Sequence, residues 1–215
     1  EEVAYWPNRI DYTENIIIHQ YDTLGWIHHA GYNDSTAYGL VKFNINKEQT
    51  LDRIGTWIVS SNATIDIEIY DTFDGTNLSG SLYALNNQSC AFPGYYTFEL
   101  ETPLELASDD IIYVKIKYTT PNYNHPIPLE GEVDGYADPD IEEGVFWISH
   151  TGNNWFQLGN NIPNWNDDPC VKLYGKVDLT MDCAGVPNGN SIVDHCDTCD
   201  SDSSNDCVQD CAGNW

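Results

Sequence analysis

Basic residues are scarce in this chain of 215 residues, which has 8 Lys and Arg against 34 Asp and Glu and a formal net charge of -26 at pH 7. Such an acidic surface repels nucleic acids and anionic lipids, which recruit proteins through Lys and Arg clusters. Long apolar runs are also missing. A membrane helix needs about 20 apolar residues, whereas runs such as Ile16–Ile18 and Ile111–Val114 are far shorter. The sequence therefore argues against nucleic-acid partners and against a membrane span.

Local signatures of catalytic sites are absent as well. The sequence has no Gly-x-Ser-x-Gly turn, no His-Glu-x-x-His helix and no glycine-rich phosphate loop. Its six His are scattered and are expected in loops. His28 and His29 form the one adjacent pair, and on a strand neighbouring side chains point to opposite faces and do not share a ligand. We therefore predict a protein that is not an enzyme.

Aromatic residues, by contrast, make up 13% of the chain, which indicates a folded protein because disordered chains are poor in aromatics. In Thr64–Tyr70, Ile alternates with acidic residues, the period-two pattern of a strand with one buried face. Similar segments recur between turn signals such as Asp74-Gly75 and Pro93-Gly94: Asn15–Asp22, Thr36–Phe43, Leu51–Ser60, Gly80–Leu85, Tyr96–Leu100, Asp110–Tyr118, Val145–Ser149 and Val171–Lys176. The pattern predicts an all-β antiparallel two-sheet sandwich of the jelly-roll type.

The composition changes abruptly after Lys176, the last basic residue. Residues 178–215 have no Lys or Arg but contain eight Asp and five of the seven Cys. With so few aliphatic residues, this small irregular tail needs crosslinks or metal ions for its order. We therefore predict a linker or N-terminal extension at 1–11, a β-domain at 12–177 and a tail at 178–215. The sequence Asp-Cys-Ala-Gly begins at Asp182 and again at Asp210, so we expect a repeat array that continues in a longer natural chain.

The cysteines and aspartates of the tail support three interpretations. Disulfides combined with calcium are favoured, because closely spaced Asp carboxylates are ligands that calcium loops use; the candidates are Asp194, Asp197, Asp200, Asp202, Asp206 and Asp210, with Cys183, Cys196, Cys199, Cys207 and Cys211. A zinc site is the second interpretation, since Cys196-x-x-Cys199 stands beside His195. An exposed acidic linker is the third. In the β-domain, Cys90 and Cys170 lie beside strand ends and are candidates to pair with each other.

Residues 121–169 depart from the strand rhythm and carry aromatic and amide side chains together. Flat rings offer platforms for sugar rings, and amides can fix the directions of sugar hydroxyls. The candidate carbohydrate-binding residues are Tyr123, Tyr136, Asn153, Asn154, Trp155 and Trp165, whereas Trp147 is expected to pack in the core. The acidic run 138–143 supplies a second candidate calcium site at Asp138, Asp140 and Glu142, with a merely solvated loop as the alternative.

A chain of motifs then resembles a known family. The motifs are Gln20–Gly25, Ala37–Phe43, Ile65–Tyr70, Pro93–Thr97, Val114–Tyr118 and Gly152–Trp155. In this order they resemble the lectin-like domain that follows the catalytic domain of bacterial papain-like surface peptidases. The resemblance implies a jelly-roll accessory domain associated with calcium and contacting glycans or the cell surface. The tail resembles Asp- and Cys-rich repeats akin to thrombospondin type 3 repeats, without their regular Asp-x-Asp-x-Asp-Gly loop.

The sequence thus predicts a secreted, non-catalytic module, extracellular or at the cell surface, that binds calcium and attaches to carbohydrate or cell-surface material. One alternative is a subunit of an extracellular filament or adhesin that self-associates into polymers through its tail or N-terminal segment. Another is an accessory fragment of a cysteine peptidase. The sequence itself contains no segment resembling the catalytic Cys, His and Asn regions of such peptidases.

Overall fold

The structure is a computed structural model that describes residues 15–159, 166–179, 181–187 and 189–205. It divides after Val177 into two compact units, Glu1–Val177 and Asp178–Trp215. The described residues form strands and connecting loops without a helix, which confirms the all-β prediction. Accordingly, these ranges contain no helix that could span a membrane.

Fifteen strands are present in the described residues. They are β1 (Ile16–His19), β2 (His28–Ala30), β3 (Thr36–Asn44), β4 (Gln49–Ile58), β5 (Ala63–Phe73), β6 (Leu78–Cys90), β7 (Gly94–Leu106), β8 (Ile111–Thr119), β9 (Ile127–Gly131), β10 (Phe146–Ser149), β11 (Phe156–Leu158), β12 (Asp167–Pro169), β13 (Val171–Lys176), β14 (Ile192–Val193) and β15 (Cys199–Asp200). The first unit contains a four-stranded sheet in the order β1-β13-β4-β7 and a six-stranded sheet in the order β11-β10-β3-β8-β5-β6. Every pairing between these strands is antiparallel.

One apolar core joins the two large sheets, and its residues alternate along the strands as the period-two pattern predicts. Val41, Val114 and Ile69 stand opposite one another on three neighbouring strands of the six-stranded sheet and are almost completely buried. Ile54 and Leu173 do the same on the four-stranded sheet. Burying such side chains stabilises the fold by about 1.5–3 kcal/mol each.

A third, three-stranded sheet in the order β12-β9-β2 was not predicted from the sequence. All five residues of β9 are buried, and Leu129 stands opposite both His28 and Pro169. The expectation that the histidines lie in loops is therefore wrong for His28 and His29, which belong to β2, and for His19, which ends β1. These short strands follow Gly and Pro closely. In a strand of three residues, the alternation of apolar and polar side chains is too short to be recognised in the sequence.

The second unit has little secondary structure and is organised by a crosslink and by aspartate side chains. Cys183 and Cys199 form a disulfide, and β14 pairs with β15. Asp182 and Asp194 head two similar loops in which the carboxylate accepts hydrogen bonds from the backbone N–H groups two and four residues later. Such local side-chain caps replace an apolar core in a segment that lacks aliphatic residues.

The predicted pairing of Cys90 with Cys170 is wrong, because both are free and buried in the structure. Cys90 ends β6 in the six-stranded sheet, whereas Cys170 lies between β12 and β13. The interpretation of Cys196 and Cys199 as zinc ligands is also overturned, since both sulfur atoms are in disulfides and zinc binds thiolates.

Candidate functional site

Four aromatic rings meet on the outer side of the six-stranded sheet, away from the core. We call Phe73, Tyr113, Trp147 and Trp155 the aromatic patch. Phe73 is its centre, with ring centroids 5.7 Å from Tyr113, 5.2 Å from Trp147 and 6.2 Å from Trp155. All four side chains are partly exposed. Trp147 therefore does not pack in the core as expected, because Phe146 and Ile148 on either side of it point inward.

Charged side chains flank the aromatic patch along the same face. The strand register aligns Trp147, Leu40, Lys115 and Glu68 in one row across four strands. Lys115 Nζ lies 3.2 Å from Glu68 Oε2 and 5.5 Å from the centre of the Tyr38 ring. These paired charges stay partly exposed beside the rings, so the face combines apolar platforms with groups that can donate to and accept from hydroxyls.

The loop after β10 brings three of the predicted carbohydrate-binding residues to this face. The buried hydroxyl of Ser149 accepts hydrogen bonds from the N–H groups of Thr151 and Gly152, 3.3 and 2.9 Å away. Gly152 has φ +81° and lies so close to Tyr38 that a Cβ would meet the ring at 3.0 Å. The turn then exposes Asn153 and Asn154 and leads to Trp155 in the aromatic patch.

The other predicted carbohydrate-binding residues lie apart from the aromatic patch. Tyr136 is 88% exposed on a turn whose backbone closes between Val133 and Ala137, and with Asp138 it lines a shallow pocket of about 240 Å³. Tyr123 packs against His29 and His125 instead. Trp165 lies outside the described residues.

A cluster of buried carboxylates is the second unusual feature, and we call Asp22, Glu130 and Asp168 the carboxylate cluster. Each of the three is completely buried. Glu130 and Asp168 stand directly opposite each other on β9 and β12, a placement that is unfavourable for like charges. The neighbouring cation is Lys172, whose Nζ lies 2.9 Å from Asp22 Oδ1.

One oxygen of Glu130 and one of Asp168 are bound by loop backbone. Glu130 Oε1 accepts hydrogen bonds from the N–H groups of Leu24 and Gly25 in the loop after β1. Asp168 Oδ1 accepts from the N–H of Glu142, 3.1 Å away. The remaining oxygens, Glu130 Oε2, Asp168 Oδ2 and Asp22 Oδ2, are buried without a hydrogen-bond partner, which is costly for polar groups.

Burial and mutual repulsion disturb the protonation of this cluster. Burial, followed by the nearby Glu130, Glu142 and Asp22 charges, raises the pKa of Asp168 to about 7 even though the Glu142 N–H favours its ionised form. Burial likewise raises the pKa of Asp22, and the Lys172 ammonium opposes that shift only in part. Three carboxylates facing one ammonium leave two negative charges uncompensated when all are ionised.

The predicted calcium ligands of the loop 138–143 do not form a site of their own. Asp138, Asp140 and Glu142 are exposed, and Glu142 approaches the carboxylate cluster through its backbone N–H. In the described ranges, no three His, Cys, Asp or Glu side chains are already gathered closely enough to hold a metal ion. Any ion bound at the cluster would have to draw its oxygens together.

The predicted calcium ligands of the tail are engaged in local hydrogen bonds where they are described. Asp194 Oδ1 accepts from two backbone N–H groups, whereas Asp194 Oδ2 is buried without a partner. Asp200 accepts from the N–H of Asp202, which in turn accepts from Ser204. Asp197 occupies the left-handed region, with φ 59°. Asp206, Asp210, Cys207 and Cys211 lie outside the described residues.

Neither the carboxylate cluster nor the aromatic patch as a whole was predicted from the sequence. Asp22, Glu130 and Asp168 are far apart in the chain and are surrounded by many other acids. Phe73 and Tyr113 belong to ordinary strands, and their contact with Trp147 and Trp155 depends on strand order. The one usable signal was an acidic residue inside the otherwise apolar Ile127–Gly131 segment, since charged residues are rarely buried without a partner.

Comparison with known proteins agrees with this architecture. Two structures of Cwp84, a surface-layer-associated cysteine protease of Clostridium difficile, are similar to the chain. The form after propeptide cleavage has 15% sequence identity and a TM-score of 0.62, covering 78% of this chain and 41% of that one. The protein with its cysteine protease and lectin-like domains has 14% identity and a TM-score of 0.57, covering 78% and 37%. No curated protein matches the chain.

The chain thus spans about 40% of the length of these solved structures, and at this identity the likeness shows the fold alone. The sequence gives a second, independent result, because residues 18–175 match the family model described as "Lectin like domain". This match covers most of the chain and nearly all of the sandwich. The chain therefore belongs to the lectin-like domain family.

Proposed function

We propose that this chain is a non-catalytic module that attaches a larger extracellular or cell-surface protein to carbohydrate, and that a calcium ion at the carboxylate cluster stabilises it. The observation that carries the binding function is the aromatic patch with its flanking charges. A second group of partly exposed rings, Trp26, Trp57 and Tyr95, lies at the four-stranded sheet. The aromatic patch is favoured over it because Trp155 and the exposed Asn153 and Asn154, which the sequence marks as sugar-binding candidates, lie there. Membership of the lectin-like family and the surface-layer association of Cwp84 favour the same function and location.

Carbohydrate recognition fits the chemistry of this face. The aromatic patch provides apolar rings against which the C–H face of a sugar can pack, with little rotamer entropy to lose. Asn153 and Asn154 beside Trp155, and the Lys115–Glu68 pair, with Lys115 two positions along β8 from Tyr113, provide donors and acceptors for sugar hydroxyls. Because Trp147 and its neighbours stand on strands, most of this surface is preorganised, which reduces the ordering cost of binding.

Calcium fits the carboxylate cluster by charge and by ligand type. The two uncompensated negative charges equal the charge of one divalent cation. Calcium prefers carboxylate and carbonyl oxygens, and Glu130 Oε2, Asp168 Oδ2 and Asp22 Oδ2 are the buried oxygens without partners. When bound, calcium would supply the positive charge that these oxygens lack and would play no part in a reaction.

The residues of the carboxylate cluster themselves connect the loops of the module. Glu130 holds the loop 22–25, Asp168 holds the backbone of Glu142, and Lys172 donates to Gln20 Oε1 and to the Asp22 carbonyl oxygen. Relieving the repulsion between Glu130 and Asp168 would therefore stabilise these loops together. We expect calcium to raise thermal stability and to order the residues around 22–25 and 142.

A glycan array probed with the wild-type protein tests the binding function. For any glycan that binds, Trp147→Ala and Trp155→Ala should each weaken binding at least tenfold, because each removes a ring that contacts Phe73 at the patch. Tyr136→Ala is the matched control, since it removes a far more exposed ring at a separate turn.

The outcome against the proposal is equally clear. The absence of any bound glycan on the array would contradict the proposal. Binding that is lost in Tyr136→Ala but retained in both Trp variants would exclude the aromatic patch as the binding site. Circular dichroism of each variant separates loss of the site from loss of the fold.

For the second unit we propose that calcium supplements the disulfide. The buried Asp194 Oδ2 without a partner supports this, and the disulfide of Cys183 with Cys199 already closes the segment. Hydrogen exchange of residues 181–205 with calcium and with chelator tests it. Protection that increases with calcium supports the proposal, and equal protection in both conditions opposes it.

A second candidate function is assembly into an extracellular polymer by strand addition. It is favoured by β6, which forms an edge of the six-stranded sheet and has no charged residue or proline in its thirteen positions. Edge strands that do not associate usually carry charges or proline, although the two irregularities in its pairing with β5 weaken a flat template. Sedimentation at increasing concentration tests this candidate, and Ser81→Lys should suppress any polymer that forms.

A further inference from the structure

Two histidine rings lie side by side near the β2 strand, apart from both the aromatic patch and the carboxylate cluster. The ring centroids of His29 and His125 are 5.7 Å apart, and both rings contact Tyr123, at 5.5 and 6.4 Å. Within the described part of the chain, neither imidazole takes part in a hydrogen bond or an ion pair. Their nitrogen atoms are thus not committed to another group.

The backbone fixes the two rings next to each other. The Thr120 hydroxyl donates to the Tyr123 carbonyl oxygen and the Tyr123 N–H donates to the Thr120 carbonyl oxygen, which closes the turn before His125. Gly31 then allows the loop to lie against β2, because a Cβ there would stand 2.5 Å from the His125 Cα. This contact positions His125 beside His29, so ligand binding would need little ordering of the backbone.

The separation of the rings is compatible with two imidazoles on one metal ion. A zinc–nitrogen distance of about 2.0–2.1 Å places each ring centroid roughly 3.2 Å from the metal. Ligand angles between tetrahedral and somewhat wider values then separate the centroids by roughly 5–6 Å. The observed 5.7 Å lies in this range.

We propose that His29 and His125 form a binding site for a late first-row divalent transition metal ion such as Zn²⁺. Water completes the coordination, because in the described ranges no third His, Cys, Asp or Glu joins them. Imidazole nitrogen suits Zn²⁺, Cu²⁺ and Ni²⁺, whereas Ca²⁺ prefers oxygen. The site is therefore chemically distinct from the carboxylate cluster, and its ion bridges the loop 121–126 to β2.

Nuclear magnetic resonance of the six histidines during a Zn²⁺ titration tests this site. With Ca²⁺ present throughout, the His29 and His125 ring signals should shift together and saturate at one equivalent. His29→Gln and His125→Gln should each weaken Zn²⁺ binding at least tenfold and remove the shift of the remaining partner. His150→Gln is the matched control, because His150 is an exposed ring paired with Asp34 elsewhere on the surface.

Three results would overturn the proposal. They are Zn²⁺ affinity that neither the His29 nor the His125 variant reduces, a shift of only one of the two rings, and loss of binding in the His150 variant. The melting temperature of each variant without metal verifies its fold. Electron paramagnetic resonance of bound Cu²⁺ gives a second readout. A splitting pattern from two coordinated nitrogens supports the proposal, and a pattern from a single nitrogen contradicts it.

Discussion

Asp168→Asn separates two effects of the carboxylate cluster, the destabilisation by its buried charge and the stabilisation that bound calcium would give. The asparagine keeps the shape of the side chain and an oxygen that can accept the Glu142 N–H, but it removes a buried charge opposite Glu130. We therefore expect opposite effects with and without calcium. Without calcium the variant should be more stable than the wild type. Addition of calcium should increase the stability of the variant much less than that of the wild type.

The structure sets the size of these effects. Asp168 has a pKa of about 7, against an ordinary 3.8. At about 1.4 kcal/mol per pKa unit, its ionised form destabilises the folded state at pH 8 by about 4 kcal/mol. Solvent screening reduces the expected stabilisation of the variant to about 2 kcal/mol. This corresponds to a melting temperature about 4–8 °C higher for a chain of this length. Calcium at a hundred times its dissociation constant should stabilise the wild type by about 2.7 kcal/mol.

Differential scanning calorimetry at pH 8, with calcium and with chelator, measures both effects. Asp140→Asn is the matched control, because it removes one negative charge from an exposed residue of the loop 138–143. Equal stabilisation of the Asp168 and Asp140 variants by calcium would contradict a calcium site at the carboxylate cluster. An Asp168 variant that is less stable than the wild type in chelator would show that the buried charge is not destabilising.

Three further predictions concern pH, the disulfide and the free thiols. Because the folded pKa of Asp168 lies above its unfolded value, the metal-free stability should fall as pH rises from about 4 to about 7 and then level off, which urea titrations at several pH values would show. Replacing Cys183 and Cys199 by Ser should destabilise the second unit by about 3 kcal/mol, seen as faster hydrogen exchange in 181–205 with unchanged melting of the β-domain. Cys90, whose pKa burial raises to about 11, and the equally buried Cys170 should react with a thiol reagent at pH 8 only after unfolding, as peptide mapping would show.

Long strands could be predicted from the sequence because each carries its own signal. In Thr64–Tyr70 the Ile residues face the core and the acids face outward, as the alternation indicates. The segment predicted at Gly80–Leu85 belongs to the longer strand β6, whose outer positions and two pairing irregularities obscure the pattern. Strand order and the jelly-roll arrangement carry no local signal, and the jelly roll stays a prediction.

The candidate sites were harder to predict because they depend on long-range register. Glu130 and Asp168 face each other only through the pairing of β9 with β12, and Asp22 joins them through Lys172 on β13. The sequence instead drew attention to Asp138, Asp140 and Glu142, which are adjacent in the chain but exposed. Trp155 could be predicted because Asn and Gly flank it, whereas Trp147 resembled a core residue within an apolar strand.

Indole N–H signals offer the most direct test of the proposed binding face. The seven Trp of the chain give separate probes, and the glycan that binds best on the array can be titrated against the calcium-loaded protein. We expect the Trp147 and Trp155 signals to shift together and saturate, while the signal of Trp57, on the four-stranded sheet, stays in place. Saturating glycan that leaves both Trp147 and Trp155 unshifted would contradict the proposed binding face.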